Sequence, residues 1–301
     1  MGSIKLIFAL LALSLLAKCS APQNDGNVNG TADTLLISQK EHRAVIGANA
    51  KGKLFIIGGG ARPEKLMKSL VDLALSNGGY ALVFTHPSAE PDTAFHYVEK
   101  QLSAHSDLPV IHVDSARVAN FPTDSVANAA LIYITGGNQN RFFDAVPKTY
   151  VSAIYRGYIH GTVVAGTSAG AAMMGKIMIT GDQYMYTEYE PTYGRLLYNN
   201  GVYAEGLGLL DSVIIDQHFV ARSRYNRILS AMADTKYPYA VGIEESTALV
   251  VNRDSCAVVG EGQVMVFSRP QAYFEQDGKI GFKRMKISAY LPGTGFKFEK
   301  L

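Results

Sequence analysis

The chain has 301 residues, 48% of them hydrophobic and 18% charged, with 28 Lys and Arg against 26 Asp and Glu. That length supports one large domain or two small ones with ample core, and the composition is globular rather than disordered. A formal net charge of +2 with no dense basic tract gives no electrostatic footprint for nucleic acid, and 2 cysteines exclude a disulfide framework.

Lys5 precedes an apolar run from Leu6 to Ala17 that is too short to span a bilayer comfortably but suits the h-region of a signal peptide. Residues 1–19 are therefore read as a targeting segment, and the protein as exported to the periplasm or beyond. Leu16-Ala17-Lys18-Cys19 resembles a bacterial lipoprotein box, which would place a lipid anchor on Cys19; Lys18 departs from it, since a small residue is expected there. Residues 20–34 are polar, small and Gly/Asn-rich, as in a flexible linker, which leaves 35–301 as a single catalytic domain.

From Lys53 the pattern alternates. Strands are expected at Lys53–Ile57, Tyr80–Thr85, Pro109–Val113, Ala130–Thr135, Thr162–Ala165, Ser212–Asp216 and Ala240–Ile243. Between them lie helical stretches at Pro63–Ser76, Pro91–Ala104, Arg141–Tyr158 and Arg222–Ala233. Strands separated by helices of this length predict an α/β fold with a mainly parallel sheet flanked by helices. The runs Ala248–Val251, Cys256–Val259 and Val264–Phe267 predict antiparallel strands added at a sheet edge near the C-terminus. Cys256, inside an apolar run, reads as a small buried hydrophobe.

Gly166-Thr167-Ser168-Ala169-Gly170 follows a strand and precedes helix-forming residues, the setting in which a serine sits on a strained turn with its hydroxyl exposed. By itself this pentapeptide also fits a tight corner of small residues. In a parallel sheet, functional groups gather where strands end. Other polar or Gly-rich strand ends are Gly58-Gly59-Gly60, Gly136 to Arg141, Asp216-Gln217-His218 and Glu244-Glu245-Ser246, and all are expected along one rim. The triglycine is no dinucleotide fingerprint, because Pro63 stands where the last glycine would be, and it reads as a tight strand-to-helix turn.

A serine nucleophile needs a base and an acid that orients the base. Of 7 histidines, none forms a metal-type pair, and His218 alone directly follows a strand among polar neighbours, which makes it the expected base. The acid is Glu244 or Glu245, which alternate sides if the strand continues, so one faces the site and the other is solvated or paired. The order Ser168, His218, acid differs from that of alpha/beta hydrolases. Arg222, Arg224 and Arg227 fit either a solvated helix start or the recognition of substrate carboxylates.

With these residues in place, the chain resembles the cyanophycinase and peptidase S51 family of serine peptidases. The motifs are GGNQNR from Gly136, AGTSAG from Ala165, DQHFVARSRYNR from Asp216 and GIEESTALVV from Gly242. The resemblance implies a class I glutamine amidotransferase-like fold, commonly dimeric, with Ser168, His218 and Glu245 as nucleophile, base and acid. It implies an oxyanion hole from the backbone N–H groups of Gly137 and Ala169, and a grip on an aspartyl-arginine unit by Gln139, Asp216, Gln217, Arg222, Arg224 and Arg227. Neither metal nor organic cofactor is implied. Ala61-Arg62 and Asn138 stand where family members often carry acidic residues, and the Tyr-rich stretch from Asp182 to Tyr203 departs from the compact loop of cyanophycin-degrading enzymes. The expected function is hydrolysis of cyanophycin. Rival expectations are a peptidase for short aspartyl peptides and a surface lipoprotein that binds peptides on an inactive scaffold of the same kind.

Overall fold

Apolar β-branched runs separated by amphipathic helices produce an eight-stranded sheet at the centre of the protein. The structure is a computed structural model that describes residues 50–74, 78–118, 121–268 and 270–299; the expected targeting segment, Cys19 and the linker lie outside the described residues. The strands are β1 (Lys53–Ile57), β2 (Ala81–Phe84), β3 (Val110–Val113), β4 (Leu131–Ile134) and β5 (Val163–Thr167), all mutually parallel along the sheet. Then come β6 (Ile177–Gln183), β7 (Gly201–Glu205), β8 (Val213–Gln217), β9 (Tyr239–Ile243), β10 (Thr247–Asn252), β11 (Ser255–Gly260) and β12 (Val264–Ser268). The chain ends in β13 (Ala272–Gln276), β14 (Lys279–Lys283), β15 (Lys286–Tyr290) and β16 (Gly295–Lys297). The large sheet runs β16-β11-β10-β1-β5-β4-β2-β3.

β10 pairs antiparallel with the free edge of β1, followed by β11 and β16, so the antiparallel strands do extend one edge. That edge is thereby closed to β8 and β9. They pair parallel with each other in a second, four-stranded sheet, β15-β12-β9-β8, where β12 joins β9 rather than the main sheet.

The helices are α1 (Glu64–Ala74), α2 (Pro91–Ser103), α3 (Ser115–Val118), α4 (Thr123–Ala127), α5 (Gln139–Ala145), α6 (Lys148–His160), α7 (Ala169–Ala172) and α8 (Tyr225–Thr235). The single helix expected over Arg141–Tyr158 is two. Pro147 can neither donate a helical hydrogen bond nor leave its predecessor helical, so Val146 turns extended at φ −92°, ψ 118°.

Strand alternation sends neighbouring residues to opposite cores. Leu54, Ile56, Leu82, Phe84, Ile132 and Ile134 pack against Tyr150, Ile154 and Tyr158 of α6. Phe55, Ile57, Val83, Leu131 and Tyr133 pack against Leu66, Met67 and Leu70 of α1 and Phe95, Val98 and Leu102 of α2. Each fully buried large apolar side chain contributes roughly 1.5–3 kcal/mol. Cys256 is buried in the first core, and its thiol pKa is pushed up by burial and, less, by Asp254. Among the described residues no helix is long and apolar enough to cross a membrane.

Candidate active site

β5 ends at Thr167 and the chain reverses at Ser168, whose φ of 52° and ψ of −111° lie outside the regions open to an unstrained side-chain-bearing residue. Such a position costs about 1–3 kcal/mol and persists only where the surroundings enforce it. Here the Ser168 N–H donates to Ile57 O at 3.1 Å, while Ser168 O accepts from Ala171 and Ala172 at 2.9 and 3.0 Å. Gly170 lets α7 lie against β4, since a Cβ there would stand 2.3 Å from Ile134 O. The result is an elbow that holds the serine hydroxyl off the end of the sheet.

The imidazole comes from the end of β8. His218 Nε2 lies 2.9 Å from Ser168 Oγ, and His218 Nδ1 makes a short hydrogen bond to Glu245 Oε1. A carboxylate only accepts, so Nδ1 carries the proton and Nε2 is left to accept from the serine. Gln217 Oε1, at 3.5 Å, is the longer alternative for the Ser168 hydroxyl. Burial lowers the His218 pKa from its ordinary 6.5; the Glu245 hydrogen bond opposes this, and the cations Arg222 and Arg224 reinforce it. The ring is therefore neutral at neutral pH.

Glu244 and Glu245 diverge. Glu245 faces His218, whereas Glu244 accepts from the N–H groups of Val220 at 2.7 Å and Ala221 at 3.2 Å, closing the turn after His218.

The triglycine is more than a turn. Consecutive carbonyls of Ile57, Gly58 and Gly59 accept from the N–H groups of Ser168 (3.1 Å), His218 (2.7 Å) and Ser246 (2.9 Å), so one strand end positions the backbone of all three groups. His218 and Ser246 also have positive φ, 49° and 54°. Gly59, at φ +102°, must lack a side chain, because a Cβ would lie 2.3 Å from His218 Cε1; one at Gly60 would lie 2.9 Å from Glu245 Oε2. Three glycines at a strand end were the only sequence signal for this platform.

Gly136 brings the next strand end to the serine, its Cβ position being 3.2 Å from Ser168 Cβ. Among the described residues, neither the Gly137 nor the Ala169 N–H is donated to a backbone carbonyl. Gln139 donates through Nε2 to Ile179 O at 2.9 Å and Thr180 O at 3.0 Å.

Of the expected arginines, only Arg222 is partly exposed. Arg227 is 3% exposed and makes a two-pronged pair with Asp216, which is 1% exposed, one prong being Nε to Oδ2 at 2.9 Å. Arg224, 2% exposed, donates to Gln217 O at 2.7 Å and Pro191 O at 2.9 Å. Arg224 and Arg227 are thus not a solvated helix start; their guanidinium groups are engaged within the protein.

One group among the described residues brings metal-type donors together: Asp92, His112 and Asp114, with ligand atoms within 4.8 Å of one another. A cation is already there. The Arg117 guanidinium lies 3.2 Å from His112 Nδ1 and pairs closely with Asp114.

The sequence profile of Peptidase family S51 matches residues 54–259, which include every residue placed above at the elbow, the imidazole and the carboxylates. The chain is 36% identical to a cyanophycinase of Trichormus variabilis over 153 residues, covering 50% of this chain and 49% of that one. It is 34% identical to a cyanophycinase of Geminocystis herdmanii over 158 residues, 52% and 55% of the two chains. It is 28% identical to a cyanophycinase of Synechococcus elongatus over 227 residues, 72% and 68%. The alignment thus spans about half the length of the first two relatives. A crystal structure of a peptidase from an acI-B1 Actinobacterium shares the fold, with a TM-score of 0.59 at 20% identity over 83% of this chain and 98% of that one. With its profile running from β1 to the end of β11, the chain belongs to peptidase family S51.

Proposed function

We propose that the protein is an exported serine peptidase that hydrolyses cyanophycin, a polymer of aspartyl-arginine units, through an acyl-enzyme on Ser168. The observation that carries this reading is a strained serine with Oγ 2.9 Å from an imidazole whose other nitrogen is held by a carboxylate. As Oγ attacks the scissile carbonyl, His218 Nε2 takes its proton, and Glu245 stabilises the resulting imidazolium. The N–H groups of Gly137 and Ala169 receive the oxyanion, preorganised donors of a kind worth about 2.7–4 kcal/mol each. His218 returns the proton to the leaving amine, then activates the water that cleaves the acyl-enzyme.

Arg222, partly exposed beside His218, is the cation best placed to meet a substrate carboxylate. Gln217 borders the serine, while Gln139, Asp216, Arg224 and Arg227 shape the wall behind. Resemblance to cyanophycinases supports the polymer as substrate. The burial of Arg224 and Arg227 favours a second reading, in which the enzyme takes only short aspartyl peptides. The targeting segment supports a place outside the cytoplasm, with Cys19 as the lipid anchor, and the family resemblance supports a homodimer as the assembly.

The test is incubation with cyanophycin and with short α- and β-aspartyl peptides, with products identified by mass spectrometry. β-Aspartyl-arginine dipeptides released from the polymer are expected. Cleavage of short peptides alone would select the second reading. No cleavage of either, together with no covalent labelling of Ser168 by a fluorophosphonate, would leave a binding scaffold.

A further inference from the structure

Residues 182–200 supply none of the chemistry above, yet they are fastened to the segment that follows His218. Arg224 Nε donates to Pro191 O at 2.9 Å, Thr192 Oγ1 to Ser223 O at 2.8 Å, and Asn226 Nδ2 to Tyr193 O at 2.9 Å. Tyr193 is 1% exposed and donates its hydroxyl to Asp182 O at 3.0 Å. Above this anchored base, every residue from Tyr184 to Glu190 is exposed, with Tyr184 at 69% and Tyr189 at 63%. Packing does not explain large rings held in water by a loop whose base is hydrogen-bonded, and exposed loops on a fixed base are where binding residues concentrate.

The loop borders the rim of Ser168. Tyr189 Cε2 lies 3.5 Å from the Cβ position of Gly181, and the neighbouring Thr180 carbonyl accepts from Gln139, which opens the helix after the Gly136-Gly137 turn. Its chemistry is that of a cation receptor: tyrosine faces attract guanidinium groups, and Glu188 and Glu190 flank Tyr189 with negative charge. One such contact already exists within the loop, where the Arg195 Cζ sits 4.7 Å from the Tyr186 ring centroid.

We propose that Tyr184, Glu188, Tyr189 and Glu190 form a subsite for the guanidinium side chain of an arginine-bearing substrate. This assignment rests on the peptidase reading of Ser168 for its place beside the scissile bond. Arg224 then anchors the recognition loop instead of gripping substrate, which accounts for its burial.

The test compares two labelled aspartyl peptides that differ only in carrying arginine or its neutral analogue citrulline, bound to the Ser168→Ala protein and followed by fluorescence anisotropy. The arginine peptide should bind about tenfold more tightly. That preference should fall to within about twofold when Tyr184→Ala and Tyr189→Ala are added, and likewise with Glu188→Gln and Glu190→Gln, whose side chains are exposed enough to leave the fold intact. No preference in the parent, or one that survives both loop variants, would overturn the subsite. The peptidase reading is scored separately with Ser168 intact. Arginine preference without cleavage keeps the subsite and discards the peptidase; equal cleavage of both peptides does the reverse.

Discussion

Two polar clusters share the end of β8 and use it in opposite ways. His218 belongs to a partly open group, in which Ser168, His218 and the residue after Glu245 all hold positive φ and the imidazole pKa is lowered. Asp216, two residues earlier, belongs to a closed group in which a carboxylate and two guanidinium groups, none more than 3% exposed, satisfy one another and nearby carbonyls. Strain and unspent hydrogen-bonding capacity mark a place kept ready for a substrate. Full satisfaction marks a strut. Polar residues two apart at one strand end thus fall into an open group and a closed one, and the partners each side chain finds set them apart.

This division can be broken at either cluster. The largest expected effect is on the open side: Ser168→Ala should lower kcat/KM by at least about a thousandfold, because covalent catalysis is lost while the pocket remains. Its melting temperature should stay close to that of the parent, since alanine also carries a Cβ and holds the same strained backbone angles. Steady-state kinetics with thermal melts checks both, and unchanged rates would end the serine mechanism.

On the closed side, Asp216→Ala should cost about 3–5 kcal/mol of stability, because it leaves buried guanidinium groups without their counter-charge. The midpoint of denaturant unfolding measures this. Adding Arg227→Met should recover part of the loss, since the unpaired cation goes with it. If Asp216→Ala instead unfolds like the parent and fails only in substrate binding, the cluster is a grip and not a strut.

Much of the open cluster was legible in the sequence because its polar residues interrupt apolar strands. Ser168 between glycines, His218 after Ile214-Ile215, and Glu244-Glu245 after Val241-Gly242-Ile243 stand out against their strands. The parallel half of the sheet was legible for the same reason. The closed cluster was not, because spacing on a helix cannot say whether a guanidinium meets solvent or an aspartate on a neighbouring strand. The second sheet was hidden because β10 takes the edge of β1 only through pairing distant in sequence. β6 and β7 were missed because Gly181 and the tyrosines blur their alternation. The row of accepting carbonyls at Ile57, Gly58 and Gly59 left no side-chain trace beyond the glycines themselves.

A sharper comparison sets the two adjacent glutamates against each other. Glu245→Gln should reduce kcat by at least about a hundredfold, because an amide holds the imidazole in either tautomer and cannot stabilise its cation. Glu244→Gln should cost about tenfold or less, since an amide oxygen still accepts from the N–H groups of Val220 and Ala221 in the turn that positions His218. Parallel kcat measurements on the two variants decide it, and the reverse order would mean that the turn matters more than the acid.

The smallest effect tests how far the surroundings of His218 tune it. The base must be neutral, so kcat/KM falls as pH drops through its pKa in the free enzyme. Burial is the largest cause lowering that pKa, Glu245 opposes it, and Arg222 and Arg224 add to the lowering. The acid limb should therefore lie below 6.5, the ordinary histidine value. Arg222→Gln removes a cation that disfavours the imidazolium, so the pKa must rise and the acid limb must move to higher pH. A shift of a few tenths of a unit is expected, because Arg222 is partly exposed and water screens it. Arg222→Lys keeps the charge and should leave the limb in place, and 1 M salt should shrink the Gln shift, since the Debye length falls to about 3 Å. A limb that moves equally in both variants would point to a rearranged turn around His218 instead of a lost charge. A limb that stays put in both, with only KM raised, would make Arg222 a substrate contact without influence on the base.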